Sequence, residues 1–151
     1  MMPNDSDPKA LIEAARVAAG NAYAPYSNFA VGAAVQLTDG SIVTGANFEN
    51  ASYGLSLCAE TVALATLNAQ GRLRDVVAIG VVGGMIGDHG ATGTAPVSPC
   101  GRCRQIINEA AQLGKRDIAI FCAGAEGDAI VEYRLSDLLP AAFGPADLGL
   151  A

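Results

Sequence analysis

The sequence predicts an α/β domain of two or three layers around one mixed sheet of about five strands. The chain has 151 residues, the length of about one domain, and 51% of them are apolar, enough for a packed core. Helical and strand patterns alternate in the order α-β-β-α-β-α-β-β, with no internal repeat and no linker. We therefore expect residues 1–151 to form a single domain.

Periodicity and turn signals define each element. Helices are predicted over residues 8–21, 58–70 and 98–112, a last helical turn over 135–139, and strands over 29–37, 41–45, 76–82, 117–123 and 129–133. Asp7 and Pro8 suit the cap and first turn of the first helix, as Ser98 and Pro99 do for the third. Asp39-Gly40 supplies the positive φ angles of a hairpin turn, so the first two strands are expected to pair.

Burial is predicted from the same patterns. Residues 76–82 are apolar and β-branched, as in a strand covered on both faces, so this strand is placed at the centre of the sheet. The helix over residues 58–70 is apolar on most of its surface and is expected to be deeply buried. Residues 83–96 contain five glycines and are predicted to form a surface loop.

Charge and hydropathy exclude several classes of partner. The net charge is −6 at pH 7, which disfavours broad contact with nucleic acid polymers or anionic lipid. The longest nearly apolar run, residues 76–87, is too short to span a membrane. The N-terminal residues MMPNDSDPKA lack the pattern of a secretory signal. We therefore expect a cytoplasmic protein with reduced cysteines, without membrane or nucleic acid partners.

Three of the four cysteines are spaced as metal ligands. Cys100 and Cys103, at i and i+3, lie on one face of a helix, so both sulfurs can reach one ion. Cys58 begins another helix and supplies a third ligand if the two helix starts lie side by side. Three protein ligands leave the fourth position of zinc open, as in catalytic sites, and Glu60 is a nearby proton carrier.

Other interpretations of these residues remain open at this point. A Cys-x-x-Cys pair also occurs in redox sites and in structural zinc sites. A structural site would need a fourth ligand, for which Cys122 and His89 are available. Cys122 lies in an apolar strand and is interpreted as a core residue, and His89 lies in the glycine-rich segment and is interpreted as a solvated loop residue.

The motifs resemble a known family. Cys58-Ala59-Glu60, followed about forty residues later by Pro99-Cys100-Gly101-Arg102-Cys103, is the signature of zinc-dependent nucleoside and nucleobase deaminases. Cysteine as the first ligand resembles the small homotetrameric cytidine deaminases of the cytidine and deoxycytidylate deaminase superfamily. Similar segments occur in the family's order at residues 24–34, 47–54, 98–105 and 138–145. The resemblance covers roughly residues 24–148.

The resemblance implies a fold, a reaction and an assembly. The fold is a three-layer α/β/α sandwich around a five-stranded mixed sheet. The reaction is hydrolytic deamination of cytidine and 2′-deoxycytidine to uridine and 2′-deoxyuridine plus ammonia, a step of pyrimidine salvage. One Zn²⁺ per subunit activates the attacking water, and the subunits form a homotetramer.

The resemblance also assigns residues by motif. Zinc is held by Cys58, Cys100 and Cys103, and Glu60 shuttles protons. The substrate-binding residues are Phe29, Asn47, Glu49, Ala51, Tyr53, Ala59, Ser98 and Phe143. Among these, Asn47 and Glu49 bind a ribose hydroxyl, Phe29 packs on the pyrimidine, and Phe143 reaches a neighbouring subunit's site.

Departures from the family pattern raise two questions. Thr61 stands where many members have an arginine after Cys-Ala-Glu, and we hypothesise that Arg104 offsets the thiolate charge instead. Ala30 replaces a usual proline, which affects only loop stiffness. The alternative function is deamination of another aminated pyrimidine such as blasticidin S, whose deaminase shares the segment at residues 98–105. The Asn47-x-Glu49 pair favours a substrate with a free ribose.

Overall fold

One mixed sheet forms the centre of the protein, in a computed structural model that describes residues 6–151. Its strands are β1 (Phe29–Leu37), β2 (Ile42–Ala46), β3 (Val76–Gly87), β4 (Gly90–Ala91), β5 (Ala119–Gly124) and β6 (Ile130–Arg134). The strand order is β2-β1-β3-β5-β6, and β4 pairs with the end of β3. The β3–β5 pair is parallel and the other pairs are antiparallel.

Helices cover both faces of this sheet. They are α1 (Pro8–Ala19), α2 (Ala59–Ala69), α3 (Gly101–Gly114) and the short α4 (Leu135–Leu138). On one face, α1 packs Leu11, Ile12, Ala15 and Ala19 against Ala34, Ala78, Val82 and Phe121. On the other face, α2 and α3 pack Leu64, Leu67 and Ile107 against Val35, Ile79, Val81 and Ile120. The predicted three-layer α/β/α sandwich with a mixed sheet is therefore confirmed.

The start of α1 and its distance from the sheet are fixed locally. Asp7 caps the helix, and its side chain accepts a hydrogen bond from the backbone N–H of Lys9 at 3.0 Å. Gly32 in β1 faces this helix, and a Cβ atom there would lie 1.9 Å from the carbonyl oxygen of Ala15. The small residue lets α1 lie directly on the sheet.

The prediction of a surface loop over residues 83–96 is wrong for its first half, which forms strands. β3 continues to Gly87, pairing Phe29 with Met85, and then turns back into β4. Without this extension, the backbone N–H and C=O groups at the start of β1 would lack partners on this side. Glycines in the extended β3 supply those partners as well as other residues would, because the hydrogen bonds are made by the backbone. Gly84 also lets residue 92 cross closely, since a Cβ there would lie 1.9 Å from the Thr92 carbonyl oxygen.

Two further expectations are corrected. α3 begins at Gly101 with Cys100 as its N-cap, so Ser98 is not the cap and Pro99 is not the first helical residue. The side chain of Arg104 donates to the Pro99 carbonyl at 2.8 Å, which holds that peptide outside the helix. α2 is buried on one face only, and Ala65 on the other face is exposed.

No helix within residues 6–151 is both long enough and apolar enough to cross a membrane.

Candidate active site

Two helix N-termini bring three cysteine sulfurs together at one end of the sandwich. Cys58 is the N-cap of α2 and Cys100 the N-cap of α3, and neither side chain caps its helix. Cys103 lies in the first turn of α3. The three Sγ atoms all lie within 4.8 Å of one another, with Cys58 and Cys100 3.8 Å apart. The predicted convergence of the two helix starts is present.

The electrostatics of this cluster favour a cation. A hydrogen bond from Cys103, together with the positive charge of Arg102, lowers the pKa of the Cys58 thiol to about 6. The pKa of the Cys103 thiol is raised by the hydrogen bond that Cys103 makes with Cys58 and by its burial. Both helix N-termini also place positive dipole ends beside the sulfurs. These effects favour the thiolate form of Cys58.

The donor set fits zinc with an open position. Three soft sulfur donors suit Zn²⁺, and no fourth His, Cys, Asp or Glu joins them among residues 6–151. Cys122 lies in β5 with its side chain buried in the core, as predicted, and His89 is exposed in the turn between β3 and β4. Neither candidate for a closed structural site lies in the cluster.

The Arg104 hypothesis does not match the contacts around the sulfurs. The Arg104 guanidinium donates to two backbone carbonyls, those of Pro99 at 2.8 Å and Leu138 at 3.1 Å. The hydroxyl of Thr61 instead lies 3.4 Å from Cys103 Sγ. Thr61 therefore occupies the position beside the ligand sulfur with a neutral hydrogen-bond donor.

Glu60 is a buried carboxyl group beside the sulfurs. It is the second residue of α2, it is 3% exposed, and its side chain lines the cavity that opens onto Cys58 and Cys100. Burial raises its pKa, and the neighbouring Cys58 adds to this effect. A carboxyl group with a raised pKa is suited to take up and release protons near neutral pH.

The cavity has a volume of about 250 Å³. Its lining residues are Val31, Asn47, Glu49, Ser56, Leu57, Cys58, Glu60, Val97, Ser98 and Cys100. Six of these are residues that the sequence assigned to the site. One cavity is thus lined both by Glu60 and two sulfurs of the cluster and by the polar pair Asn47 and Glu49.

Backbone groups of β1 hold the side chain of Asn47, and residues 26 and 27 hold the side chain of Glu49. The Asn47 amide donates to the Phe29 carbonyl at 2.9 Å and accepts from the Val31 N–H at 2.9 Å. Hydrogen bonds from the Ser27 hydroxyl and from the N–H groups of Ser27 and Tyr26 lower the pKa of Glu49. Both side chains are held before any ligand enters.

Five predicted substrate residues do not line this cavity. Phe29 is half-buried, with its ring against Gly83, and Ala59 is buried in the first turn of α2. Ala51 is exposed on the loop before α2. Tyr53 lines a neighbouring cavity of about 330 Å³ that shares Glu49 and Ser56 with the first.

Phe143 does not line its own chain's cavity. Its ring is 62% exposed, while its carbonyl accepts hydrogen bonds from Gln105 at 2.8 Å and Asn108 at 3.2 Å. The backbone here is anchored to α3 and the aromatic ring is left free on the surface.

Sequence reasoning missed four apolar or small residues of the lining: Val31, Ser56, Leu57 and Val97. Val31 and Leu57 are close in sequence to predicted site residues, and this proximity was the available signal. Sequence reasoning gave no role to Ser27, and it gave Thr61 only as a departure from the family pattern. Their contacts depend on how separate segments meet in space.

Comparisons with known proteins agree with this geometry. The family model for the "Cytidine and deoxycytidylate deaminase zinc-binding region" matches residues 5–118. A cytidine deaminase of Halalkalibacterium halodurans is 46% identical over 142 residues, which are 94% of this chain and 98% of the relative. A cytidine deaminase of Mycobacterium tuberculosis is 44% identical over 131 residues, 87% of this chain and 85% of that relative.

Solved structures give the same result. The crystal structure of cytidine deaminase from Burkholderia pseudomallei has a TM-score of 0.77 at 45% identity, covering 91% of this chain and all of the other. That of the Mycobacterium tuberculosis cytidine deaminase has a TM-score of 0.71 at 40% identity, covering 93% of this chain and 99% of the other. Sequence, fold and sulfur cluster agree, and the chain belongs to the family of zinc-binding cytidine and deoxycytidylate deaminases.

Proposed function

We propose that this chain is a zinc-dependent cytidine deaminase, a hydrolase that converts cytidine and 2′-deoxycytidine to the corresponding uridines and ammonia. One observation carries the proposal: a single cavity is lined by two sulfurs of the three-cysteine cluster, by a buried glutamate, and by an asparagine and a glutamate that can bind a sugar. Relatives named cytidine deaminase at 46% and 44% identity support the substrate assignment.

Cys58, Cys100 and Cys103 are the proposed zinc ligands. When bound there, zinc supplies a Lewis acid that activates a water molecule for attack on the substrate. The N-terminal dipoles of α2 and α3 and the hydroxyl of Thr61 offset part of the negative charge of the three sulfurs.

Glu60 is the proposed proton shuttle. Deamination forms a bond from the water oxygen to C4 of the pyrimidine and breaks the bond from C4 to the amino nitrogen. Of the two protons of the water, one ends on ring N3 and the other leaves with the amino group as ammonia. Glu60 accepts each proton and delivers it, which its burial and raised pKa support.

Asn47 and Glu49 are the proposed ribose ligands. One N–H of the Asn47 amide is committed to the Phe29 carbonyl, so the second can donate to a sugar hydroxyl. The Glu49 carboxylate, whose pKa is lowered, accepts from the same hydroxyl. Ser98, which lines the cavity, and Phe29, whose carbonyl accepts the hydrogen bond from Asn47, are proposed to contact the pyrimidine.

The proposed site is completed by a second subunit in a homotetramer. Ala51, Tyr53 and Phe143 remain proposed substrate residues on this basis, and Ala59, buried in the first turn of α2, remains one through the family motif alone. The exposed rings of Tyr53 and Phe143 and the exposed Leu55 support subunit contacts around the cavity. Sedimentation that gives about four times the mass of one chain would support this assembly, and a monomer under assay conditions would contradict it.

We further propose that residues 1–151 act as one domain in cytoplasmic pyrimidine salvage. Three of the four cysteines converge as proposed metal ligands, which must be reduced to bind an ion, and this supports a reducing compartment. The product uridine is a nucleoside that biosynthetic phosphorylation can reuse. Deamination of blasticidin S is not favoured, because the polar pair for a free sugar lines the cavity.

Rates on cytidine, cytosine and blasticidin S, with zinc content measured on the same samples, test the proposal. Cytidine is expected to be the best substrate by kcat/KM. Glu60→Gln should bind zinc normally and lose about 10²- to 10⁴-fold in kcat, the range for a lost general acid–base group. Weak turnover of cytidine beside efficient turnover of blasticidin S would overturn the assignment, as would full activity of the variant.

A further inference from the structure

The loop before β1 holds a serine at the centre of several site contacts. The hydroxyl of Ser27 donates to Oε2 of Glu49 at 2.5 Å. The Oγ atom of Ser27 also accepts a hydrogen bond from the backbone N–H of Phe29 at 3.1 Å. One hydroxyl therefore connects the carboxylate at the sugar end of the cavity to the first residue of β1.

The other oxygen of Glu49 is held by the same loop. Oε1 accepts the backbone N–H of Tyr26 at 2.9 Å and that of Ser27 at 3.1 Å. A carboxylate offers about four acceptor sites, and this loop fills three of them. One site is left, which suits a single hydroxyl of a ligand.

Glu49 has little else to fix its side chain. It lies beyond the end of β2, in a segment without regular structure, and its side chain is only half-buried. A glutamate in this setting loses rotamer freedom when it binds a ligand, and that loss weakens binding. Hydrogen bonds made in advance reduce the loss.

The loop that carries Ser27 is itself anchored. The N–H of Asn28 donates to the Ala24 carbonyl at 3.0 Å, and Asn28 has a positive φ of 58°. The Asn28 carbonyl accepts the N–H of Ile86 at 2.9 Å, and its side chain donates to the Ile86 carbonyl at 3.2 Å. The extension of β3, which the sequence did not predict, thus anchors the loop through hydrogen bonds between Ile86 and Asn28.

We propose that Ser27 is a positioning residue for sugar recognition. Its hydroxyl holds the Glu49 carboxylate in one orientation, with one acceptor site facing the nucleoside 3′-hydroxyl. Because the same hydroxyl accepts the Phe29 N–H, it also fixes the position of Glu49 relative to β1. The side chain of Asn47 is hydrogen-bonded to that strand as well. This inference rests on the proposed function, because the 3′-hydroxyl belongs to the proposed substrate.

Ser27→Ala tests the inference when it is assayed on cytidine and on 3′-deoxycytidine. The variant should raise KM for cytidine about tenfold, the effect of one hydrogen bond to a charged group, with kcat changed by less than about threefold. The preference for cytidine over 3′-deoxycytidine should fall by a similar factor. Ser27→Thr keeps the hydroxyl and should restore both values.

Ser136→Ala is the matched control. Ser136 also donates its hydroxyl to a carboxylate, that of Asp117 at 2.6 Å, but outside the cavity. This variant should keep the wild-type KM and the wild-type preference. Zinc content and thermal unfolding, measured on every variant, report general damage.

The outcomes separate the two proposals. Wild-type protein that does not deaminate cytidine overturns the proposed function. Active wild-type protein with an unchanged KM and preference in Ser27→Ala overturns the role of Ser27 alone. A Ser27→Ala variant that loses zinc, or loses the same factor on both nucleosides, also overturns it, since Ser27 would then support the fold rather than sugar recognition.

Discussion

Thr61 shows how one side chain adapts the metal site. Thr61 lies in the first turn of α2, and its hydroxyl is 3.4 Å from Cys103 Sγ. A hydroxyl that donates to a thiolate spreads the negative charge of the ligand and fixes its orientation, without adding a cation to a site near two helix N-termini.

Thr61→Val should therefore weaken zinc binding about tenfold, at the lower end of the range for contacts that support a metal ligand. Valine keeps the shape of threonine and removes only the hydroxyl, and Thr61→Ser, which retains it, is the control. Competition with a chromophoric chelator measures the affinity directly. Equal zinc affinity in the valine and serine variants would show that the contact is incidental.

The catalytic residue types were predictable from sequence, and their supporting contacts were not. Cys58, Glu60, Cys100 and Cys103 stand at spacings that suit a zinc site, so the pattern makes them candidates, and the family resemblance supplies their proposed roles. Ser27 acts on a carboxylate 22 positions away and Thr61 on a sulfur 42 positions away. Such pairs carry no periodic signal, because only the folded chain brings them together.

The hairpin of β1 and β2 contains an exposed charged cluster. Asp39, at its turn, accepts hydrogen bonds from the hydroxyl and N–H of Ser41 and pairs with Arg72 at 2.9 Å. These contacts lower the pKa of Asp39 from 3.8 to about 2. The carboxylate thus favours the folded state wherever it is ionised.

Asp39→Asn should lower stability at neutral pH by a small amount that depends on pH. Because the folded pKa is below the unfolded one, the contribution is complete above pH 3.8 and is lost as pH falls through about 2. Urea denaturation across this range should show the difference from wild type shrinking on acidification. A difference that stays constant or grows toward low pH would contradict the assignment.

Close packing of α1 on the sheet depends on Gly32. Gly32→Ala places a Cβ against the Ala15 carbonyl and should destabilise the protein by ~1–3 kcal/mol, as overpacked cores do. Gly54→Ala is the control, because nothing lies within 4 Å of a Cβ there, and it should change stability by less than ~0.5 kcal/mol. Urea denaturation compares the two, and equal effects would contradict the packing argument.

Most elements were predictable because their signals are local. Asp7, Pro8 and the Asp39-Gly40 turn define their elements without help from the rest of the chain. The extension of β3 was missed because its glycines resemble a loop and its pairing depends on β1. The start of α3 was missed because the contact of Arg104 with the Pro99 carbonyl is not visible in a cap pattern.

The sandwich as a whole places the proposed chemistry at one end. α2 and α3 lie on the same face of the sheet, and their N-termini meet where the segment after β2 and the segment before α3 also pass. The proposed zinc ligands therefore come from separate parts of the chain, and the proposed proton shuttle and sugar ligands come from the same segment as Cys58. Residues 47–60 supply six of the ten lining residues, and residues 97–103 supply three others together with the cysteine pair.

Zinc removal and restoration tests the central claim most directly. The loss of cytidine is followed by ultraviolet absorbance with the protein as isolated, after chelation, and after zinc is added back. We predict turnover in the first state, its loss in the second, and recovery in the third in proportion to one zinc per chain. Turnover that survives complete removal of the metal, or that never occurs in the zinc-loaded protein, would contradict the account.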